Sequence, residues 1–219
     1  MIAINTYIEI LPTLLKGLVV TVETLVLSAF FAFLIAFIAG LCRLSKNGLV
    51  RTVTLVYVEF FRGTSLLVQM FWVFFALPLL GLELSPLTAA VITLSLNYGA
   101  YASEIVRGAV LAIPKGQVEA SIALNMSPYK RMTRIILPQA VKLMLPNFGN
   151  TLIDILKGTS LVSLITLGDV TYQAMLLRST NISITTEIFT VLIVIYFLLA
   201  LPLIITARWL ERRASLGGA

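Results

Sequence analysis

Residues 113–140 read IPKGQVEASIALNMSPYKRMTRIILPQA, the longest polar interruption in a chain that is otherwise largely apolar. This stretch predicts two short helices that meet at a corner. Pro114 favours a helix start, where its missing N–H group costs no hydrogen bond. We expect the first helix over about 117–124, because Asn125 follows and Asn tolerates a left-handed, helix-ending backbone better than other non-glycine residues.

The second half of the stretch carries a second set of helix signals. Ser127 has the chemistry of a helix N-cap, and Pro128 that of a first helical residue. Pro138 disfavours helical backbone at Leu137, so we expect the second helix to end there. Its basic residues are Lys130, Arg131 and Arg134. Such a cluster predicts a cytoplasmic position if the chain crosses a membrane.

The composition identifies the class of protein. Of the 219 residues, 59% are hydrophobic and 12% are charged, whereas charged residues make up about a quarter of a soluble domain. We therefore expect an integral membrane protein. The single cysteine, Cys42, cannot form an intrachain disulfide, and the lack of histidine argues against a metal site. The sequence has no nucleotide-binding glycine-rich loop, so energy must come from a partner or an ion gradient.

Five stretches are long and apolar enough to cross a bilayer, which takes about 20 largely apolar residues. They cover approximately 17–40, 55–79, 86–109, 143–167 and 187–208. The expected fold is therefore an all-α membrane protein with five transmembrane helices in one domain, residues 1–219. Residues 113–140 form the connection between the third and the fourth span.

The basic residues set the predicted orientation, because cytoplasmic segments are enriched in Lys and Arg. They are concentrated between the first two spans, between the third and fourth spans, and at the C-terminal end. These residues are Arg43, Lys46 and Arg51; Lys115, Lys130, Arg131, Arg134 and Lys142; and Arg208, Arg212 and Arg213. The N-terminus is therefore predicted outside, and residues 113–140 and the C-terminus inside. This pattern accounts for the net charge of +6, so we expect no nucleic-acid partner.

The predicted cytoplasmic loop contains a recognisable motif. Glu119-Ala120-Ser121, then Asn125, then Ile135-x-Leu137-Pro138 resemble the EAA loop of ABC importer permeases. The family has Ala at the position of Ser121 and Gly at that of Asn125. The resemblance implies that 113–140 is a coupling loop that docks into a cytoplasmic ATPase subunit. The coupling residues would be Gly116, Glu119, Ala120, Asn125 and Ser127. The alternative is an amphipathic connector without a partner.

Further segments extend the resemblance in the expected order. Residues 59–69 (EFFRGTSLLVQ), 97–101 (NYGAY), 104–108 (EIVRG) and 157–161 (KGTSL) are similar to segments of polar amino acid permeases, such as those of histidine, glutamine and arginine importers. The family usually has Pro at the position of Ser65 and Asp at that of Gly158.

The resemblance also implies an architecture and a set of partners. The fold would be that of a type I ABC importer in the bacterial cytoplasmic membrane. A second copy or a close paralogue would complete the dimer, cytoplasmic ABC ATPase subunits would drive it, and an extracytoplasmic amino-acid-binding protein would deliver substrate. The chain itself would be neither an enzyme nor a cofactor-binding protein.

Charged residues inside the predicted spans recur at a helical spacing. A charge at the bilayer centre costs at least about 2.5–3.5 kcal/mol on insertion scales, so such residues usually pair or line a cavity. Three sets lie three residues apart and therefore on one helix face: Glu59/Arg62, Glu104/Arg107 and Asp154/Lys157. The last pair precedes the polar residues 158–160, where we expect an unwound stretch facing protein or a water-filled cavity.

These patterns lead to a hypothesis for the substrate site. Asn97 and Tyr101 share a helix face, and Glu23 and Asp154 are carboxylates inside spans. We expect these four residues to line one polar pocket. Two unpaired carboxylates there would favour a basic amino acid: arginine, lysine or histidine. The alternative is that each residue makes only hydrogen bonds between helices.

The function expected from the whole sequence is that of a membrane-spanning subunit of an ATP-driven amino acid importer. The rival is a transporter or channel subunit driven by an ion gradient, in which Glu23 and Asp154 would bind protons or sodium. A membrane scaffold without transport is disfavoured by the polar residues inside the spans. The sequence leaves open which amino acid is carried and whether the dimer is formed by identical chains.

Overall fold

The computed structural model describes residues 2–216, and side chains for residues 10–212. Met1 and residues 217–219 of the predicted domain lie outside the described residues, as does the side chain of Arg213. The described chain is all-helical, which confirms the predicted class. Its α-helices are α1 (Ile2–Cys42), α2 (Gly48–Gly63), α3 (Leu66–Phe71), α4 (Pro86–Leu111), α5 (Lys115–Ala123), α6 (Pro128–Arg131), α7 (Leu137–Thr159), α8 (Val170–Thr180) and α9 (Thr185–Leu216).

Tighter and wider turns link several of these helices. A π-helical turn, Trp72–Ala76, and a 3₁₀ turn, Leu77–Leu80, continue α3. A second π-helical turn, Met132–Ile136, joins α6 to α7, and the 3₁₀ turn Ser160–Ile165 follows α7. A short 3₁₀ turn, Ile182–Ile184, precedes α9.

Helix α4 lies at the centre and contacts α1, α2 and α7. Small residues let α1 approach it closely, as is common where membrane helices pack without a hydrophobic driving force. At Gly40 of α1, an added Cβ would lie 2.6 Å from the Cβ of Val106, and at Gly99 of α4 it would lie 2.8 Å from Ile35. These glycines therefore fix the spacing between the two helices.

Length and apolar composition identify fewer spans than the sequence predicts. Among the described residues, Ile10–Cys42 and Ile182–Arg212 are each long and apolar enough to cross a membrane. Two bent pairs reach the same standard: Gly48–Gly63 with Leu66–Leu80, at 103°, and Pro128–Ile165 with Val170–Thr180, at 47°. The structure thus supports two to four spans by this criterion, and the count of five stays a prediction.

The 113–140 loop has the predicted corner. Asn125 adopts a left-handed backbone with φ of 52° after α5, and the hydroxyl of Ser127 accepts a hydrogen bond from the N–H of Lys130 at the start of α6. The predicted end of the second helix is wrong, because the chain continues through the π turn into α7. In that turn the N–H of Leu137 bonds to the carbonyl of Met132. The wider turn moves the preceding carbonyls away from the ring of Pro138, which would collide with them in a regular helix.

Candidate functional site

An open cavity of about 480 Å³ lies where the start of α3 meets α4 and α7. Its lining residues are Thr64, Ser65, Leu66, Asn97, Tyr98, Tyr101, Thr151, Asp154 and Lys157. Three of the four predicted pocket residues are therefore brought together. The lining also includes residues that the sequence analysis did not assign, notably those of the break between α2 and α3.

Helix α4 contributes Asn97 and Tyr101 from one face, and both donate hydrogen bonds to residues that flank the α2–α3 break. Asn97 is 4% exposed, and its Nδ2 donates to the carbonyl of Phe61 and to Oε1 of Gln69, each at 3.0 Å. Tyr101 is 46% exposed, and its hydroxyl donates to the carbonyl of Arg62 at 3.1 Å. The amide of Asn97 is thus already engaged, whereas Tyr101 offers an exposed ring to the cavity.

Helix α7 contributes an ion pair. Nζ of Lys157 lies 3.2 Å from Oδ1 of Asp154, and the side chains are 71% and 58% exposed. The pair has the predicted spacing on one helix face, but Asp154 is then not the unpaired carboxylate that the pocket hypothesis requires. The cavity therefore presents one carboxylate and one ammonium group side by side.

The expected unwound stretch at residues 158–160 is not found. α7 stays helical to Thr159 and then tightens into the 3₁₀ turn. Gly158 instead makes room for Tyr98, since an added Cβ would lie 2.5 Å from the Tyr98 hydroxyl. That hydroxyl donates to the carbonyl of Asp154 at 2.8 Å. Gly158 therefore permits a contact that ties α4 to the part of α7 that carries the ion pair.

Glu23 does not lie in this cavity. It is exposed on α1 and lines a separate groove with Leu18, Val19, Val22 and Val26. It lies within Ile10–Cys42, the stretch of α1 that is long and apolar enough to cross a membrane.

The predicted ion pairs on α2 and α4 are both present. Glu59 and Arg62 are 3.8 Å apart, and Glu104 and Arg107 are 2.8 Å apart. Glu104 also pairs with Arg43, which follows α1. Helix periodicity does not predict this second partner, because Arg43 lies in the turn after α1 and not on α4.

The five residues of the 113–140 loop that are predicted to couple to an ATPase are all exposed. The exposed residues are Gly116, Glu119, Ala120, Asn125 and Ser127. Ser121, which the resemblance aligns with an alanine, is buried, and its hydroxyl donates to the carbonyl of Val118 at 2.6 Å. Large apolar side chains, Ile122, Leu124 and Tyr129, are exposed beside the predicted residues. Such a mixture of apolar and charged groups is typical of a protein–protein contact surface.

Residues 32–216 match the family model described as the binding-protein-dependent transport system inner membrane component. The chain belongs to this family. It is 47% identical to a probable amino-acid ABC transporter permease of Sinorhizobium fredii, covering 90% of this chain and 84% of that protein. It is 39% identical to the L-cystine transport system permease of Bacillus subtilis, covering 92% and 86%.

A solved structure, an amino acid ABC transporter with histidines, superposes with a TM-score of 0.89 at 32% identity, covering 95% of this chain and 97% of that one. The sequence resemblance to amino acid ABC permeases is confirmed. The family's inner-membrane location and its dependence on binding proteins follow from its description.

Proposed function

We propose that this chain is the membrane-spanning subunit of an ATP-driven amino acid importer and that the cavity between α3, α4 and α7 is part of the substrate path. The observation that carries this proposal is the Asp154–Lys157 pair, exposed in an open cavity, in a member of this transporter family. A free amino acid carries one ammonium and one carboxylate group. The side-by-side pair offers each of them a partner of opposite charge.

The identity of the carried amino acid is a finer proposal. A basic amino acid was expected from two unpaired carboxylates, but Glu23 lies elsewhere and Lys157 pairs with Asp154. Asp154 alone still supports a cationic side chain. Similar proteins are named for cystine or were solved with histidines. That this chain carries basic amino acids therefore stays a proposal within the broader amino acid class. A comparison of arginine uptake with glutamine uptake tests this proposal.

The proposed cycle is alternating access. Two copies of this chain, or this chain and a paralogue, would enclose the path, and ATP binding would close the paired ATPase subunits against the 113–140 loops. An extracytoplasmic binding protein would deliver the amino acid. The proposed orientation, with the N-terminus outside, puts the exposed loop residues on the ATPase side of the membrane. This chain carries out no covalent step.

Purification of the tagged chain from its native membrane in mild detergent tests the coupling loop. We expect an ABC ATPase subunit to copurify with the wild type and to be lost with Glu119→Lys, because the reversed charge would disrupt docking. Glu83→Lys is the matched control: it makes the same change at an exposed residue of the connection between the second and third predicted spans.

Two outcomes would overturn the proposal. An absence of ATPase from the wild type, together with uptake that collapses with the ion gradient, would favour the gradient-driven rival. Equal loss of the ATPase with Glu119→Lys and Glu83→Lys would show that the charge change acts through assembly rather than through docking.

A further inference from the structure

The second predicted span is interrupted beside the cavity. α2 ends at Gly63, α3 begins at Leu66, and the two segments are bent by 103°. Thr64 and Ser65 between them have extended backbones. Non-helical backbone at membrane depth requires partners for its polar groups. The Ser65 carbonyl accepts from the backbone N–H of Gln69, and side chains supply partners for the carbonyls on the α2 side of the break.

Two buried amides form the centre of this arrangement. Nε2 of Gln69 lies 3.0 Å from the carbonyl oxygen of Phe61, 3.3 Å from that of Thr64 and 2.6 Å from the Thr64 hydroxyl, and its two N–H groups are shared among these three acceptors. Asn97 donates to the same Phe61 carbonyl and to Oε1 of Gln69. We call Gln69, Asn97 and the hydroxyl of Thr64 the clasp. Both amides donate hydrogen bonds to residues that form or flank the break. An apolar residue has no donor and an ionised acidic residue only accepts, so neither can replace these amides.

Contacts around the clasp extend it to neighbouring carbonyls. The hydroxyl of Thr64 donates to the carbonyl of Phe60 at 2.7 Å. Tyr101 donates to the carbonyl of Arg62, whose guanidinium lies 5.5 Å from the centre of the Tyr101 ring. Side chains thus satisfy successive carbonyls at the end of α2, which would otherwise be left without their helical partners.

Open space flanks the bend on two sides. The 480 Å³ cavity lies on one side, and an apolar cavity of about 530 Å³, lined by Phe61, Trp72 and Leu96 among others, lies on the other. Thr64 lines both cavities. Apolar packing holds α3 through the buried Met70, but Thr64 and Ser65 at the bend are exposed. The hydrogen bonds of the clasp therefore hold the backbone at the bend itself.

We infer that Gln69 and Asn97 are positioning residues of the transport cycle, which hold the 64–66 wall of the substrate cavity opposite the Asp154–Lys157 pair. This inference rests on the proposed function. It also gives Asn97 a different role from the substrate contact expected from the sequence, because its donors are directed at Phe61 and Gln69. Loosening the wall would alter substrate affinity and the coupling of ATP hydrolysis to uptake while leaving assembly intact.

The test uses the complete transporter, purified with its partner subunits and reconstituted in liposomes. Asn97→Asp keeps the shape but turns a donor into an acceptor facing two other acceptors. We expect at least a tenfold rise in KM for amino acid uptake and a several-fold rise in ATP hydrolysed per amino acid. Ser95→Ala is the control, because Ser95 is 2% exposed on the same helix and donates to the Ser28 carbonyl at 3.2 Å, away from the bend. It should change both quantities less than twofold.

A second pair of variants keeps the test decisive if Asn97→Asp does not assemble. Thr64→Val loses the clasp hydroxyl at a site that is exposed to the cavity, and Thr64→Ser retains it. We expect a raised KM with Thr64→Val and a wild-type KM with Thr64→Ser. Wild-type KM and coupling with assembled Thr64→Val, or equal effects of Asn97→Asp and Ser95→Ala, would overturn the inference.

A readout independent of transport separates this inference from the proposed function. In a Cys42→Ala background, Ser65→Cys is labelled with a water-soluble maleimide, with and without Asn97→Asp. Labelling should become at least threefold faster when the clasp is broken, and an unchanged rate would refute the clasp even if the transporter proved inactive. A wild-type transporter that takes up no amino acid would refute the proposed function alone.

Discussion

Neutralising one member of the Asp154–Lys157 pair separates its role in folding from its role in binding. Nζ of Lys157 lies 3.2 Å from Oδ1 of Asp154, and both side chains are largely exposed, so water screens their attraction. Exposed pairs contribute about 0–1 kcal/mol to stability. A hydrogen bond to a charged group of a bound substrate is worth about 1.5–3 kcal/mol, which corresponds to about 10- to 150-fold in affinity. Asp154→Asn and Lys157→Gln should therefore raise KM strongly and change thermal stability little.

Competition by substrate analogues shows which group each side chain binds. Uptake of a radiolabelled amino acid is measured in liposomes against the amino acid amide, which lacks the carboxylate, and against the deamino acid, which lacks the ammonium group. We expect the wild type to reject both analogues. Lys157→Gln should lose its discrimination against the amide, and Asp154→Asn its discrimination against the deamino acid.

Two results would contradict this reasoning. If both variants keep the wild-type KM and the same preference among analogues, the pair does not bind the head group of the substrate. If Asp154→Asn weakens arginine uptake but leaves glutamine uptake unchanged, Asp154 binds the cationic side chain of the substrate. That second result would favour the basic-substrate proposal.

Two further substitutions test the packing that supports the cavity. Gly40→Ala should lower the free energy of unfolding by about 1–3 kcal/mol, because the new Cβ would lie 2.6 Å from the Cβ of Val106. Gly48→Ala is the control, since its Cβ meets open space and should not destabilise the chain. Thermal unfolding in detergent compares the two variants, and equal melting temperatures would refute the argument. Glu104→Gln should destabilise by about 1–3 kcal/mol, since it leaves two partly buried arginines without their carboxylate. The exposed Glu59→Gln should change stability by less than about 1 kcal/mol, and a comparable loss from both would show that burial of Glu104 is unimportant.

Local chemistry was the part of the structure that the sequence predicted well. The left-handed Asn125 and the N-cap Ser127 depend on their own backbone and on residues a few positions away. The ion pairs spaced by three residues follow from helix geometry in the same way. Helix periodicity also placed Asn97 and Tyr101 correctly on one face of α4, at the cavity.

Contacts between distant segments were missed for a physical reason. Asn97 bonds to Gln69 on α3, and Glu104 pairs with Arg43 in the turn after α1. Periodicity within α4 does not reveal either partner. The signal at the α2–α3 break was nevertheless present. The sequence Gly-Thr-Ser occurs at residues 63–65, where the helix breaks, and again at residues 158–160, where an unwound stretch was predicted but the chain stays helical.

The continuity between the 113–140 loop and α7 has the largest consequence for the proposed mechanism. Had the second loop helix ended near Leu137, the loop and the cavity would belong to separate elements. Instead the π turn Met132–Ile136 leads directly into α7, which carries Asp154 and Lys157 near its other end. The 23 residues of α7 span about 35 Å at 1.5 Å per residue. α7 contains Pro146 between the loop and the charged pair. We expect that a movement of this helix, started by an ATPase at the loop, displaces the charged pair relative to the wall held by the clasp. We expect the loop and the cavity to be coupled through this one helix, and the cavity to change because α7 moves relative to the wall.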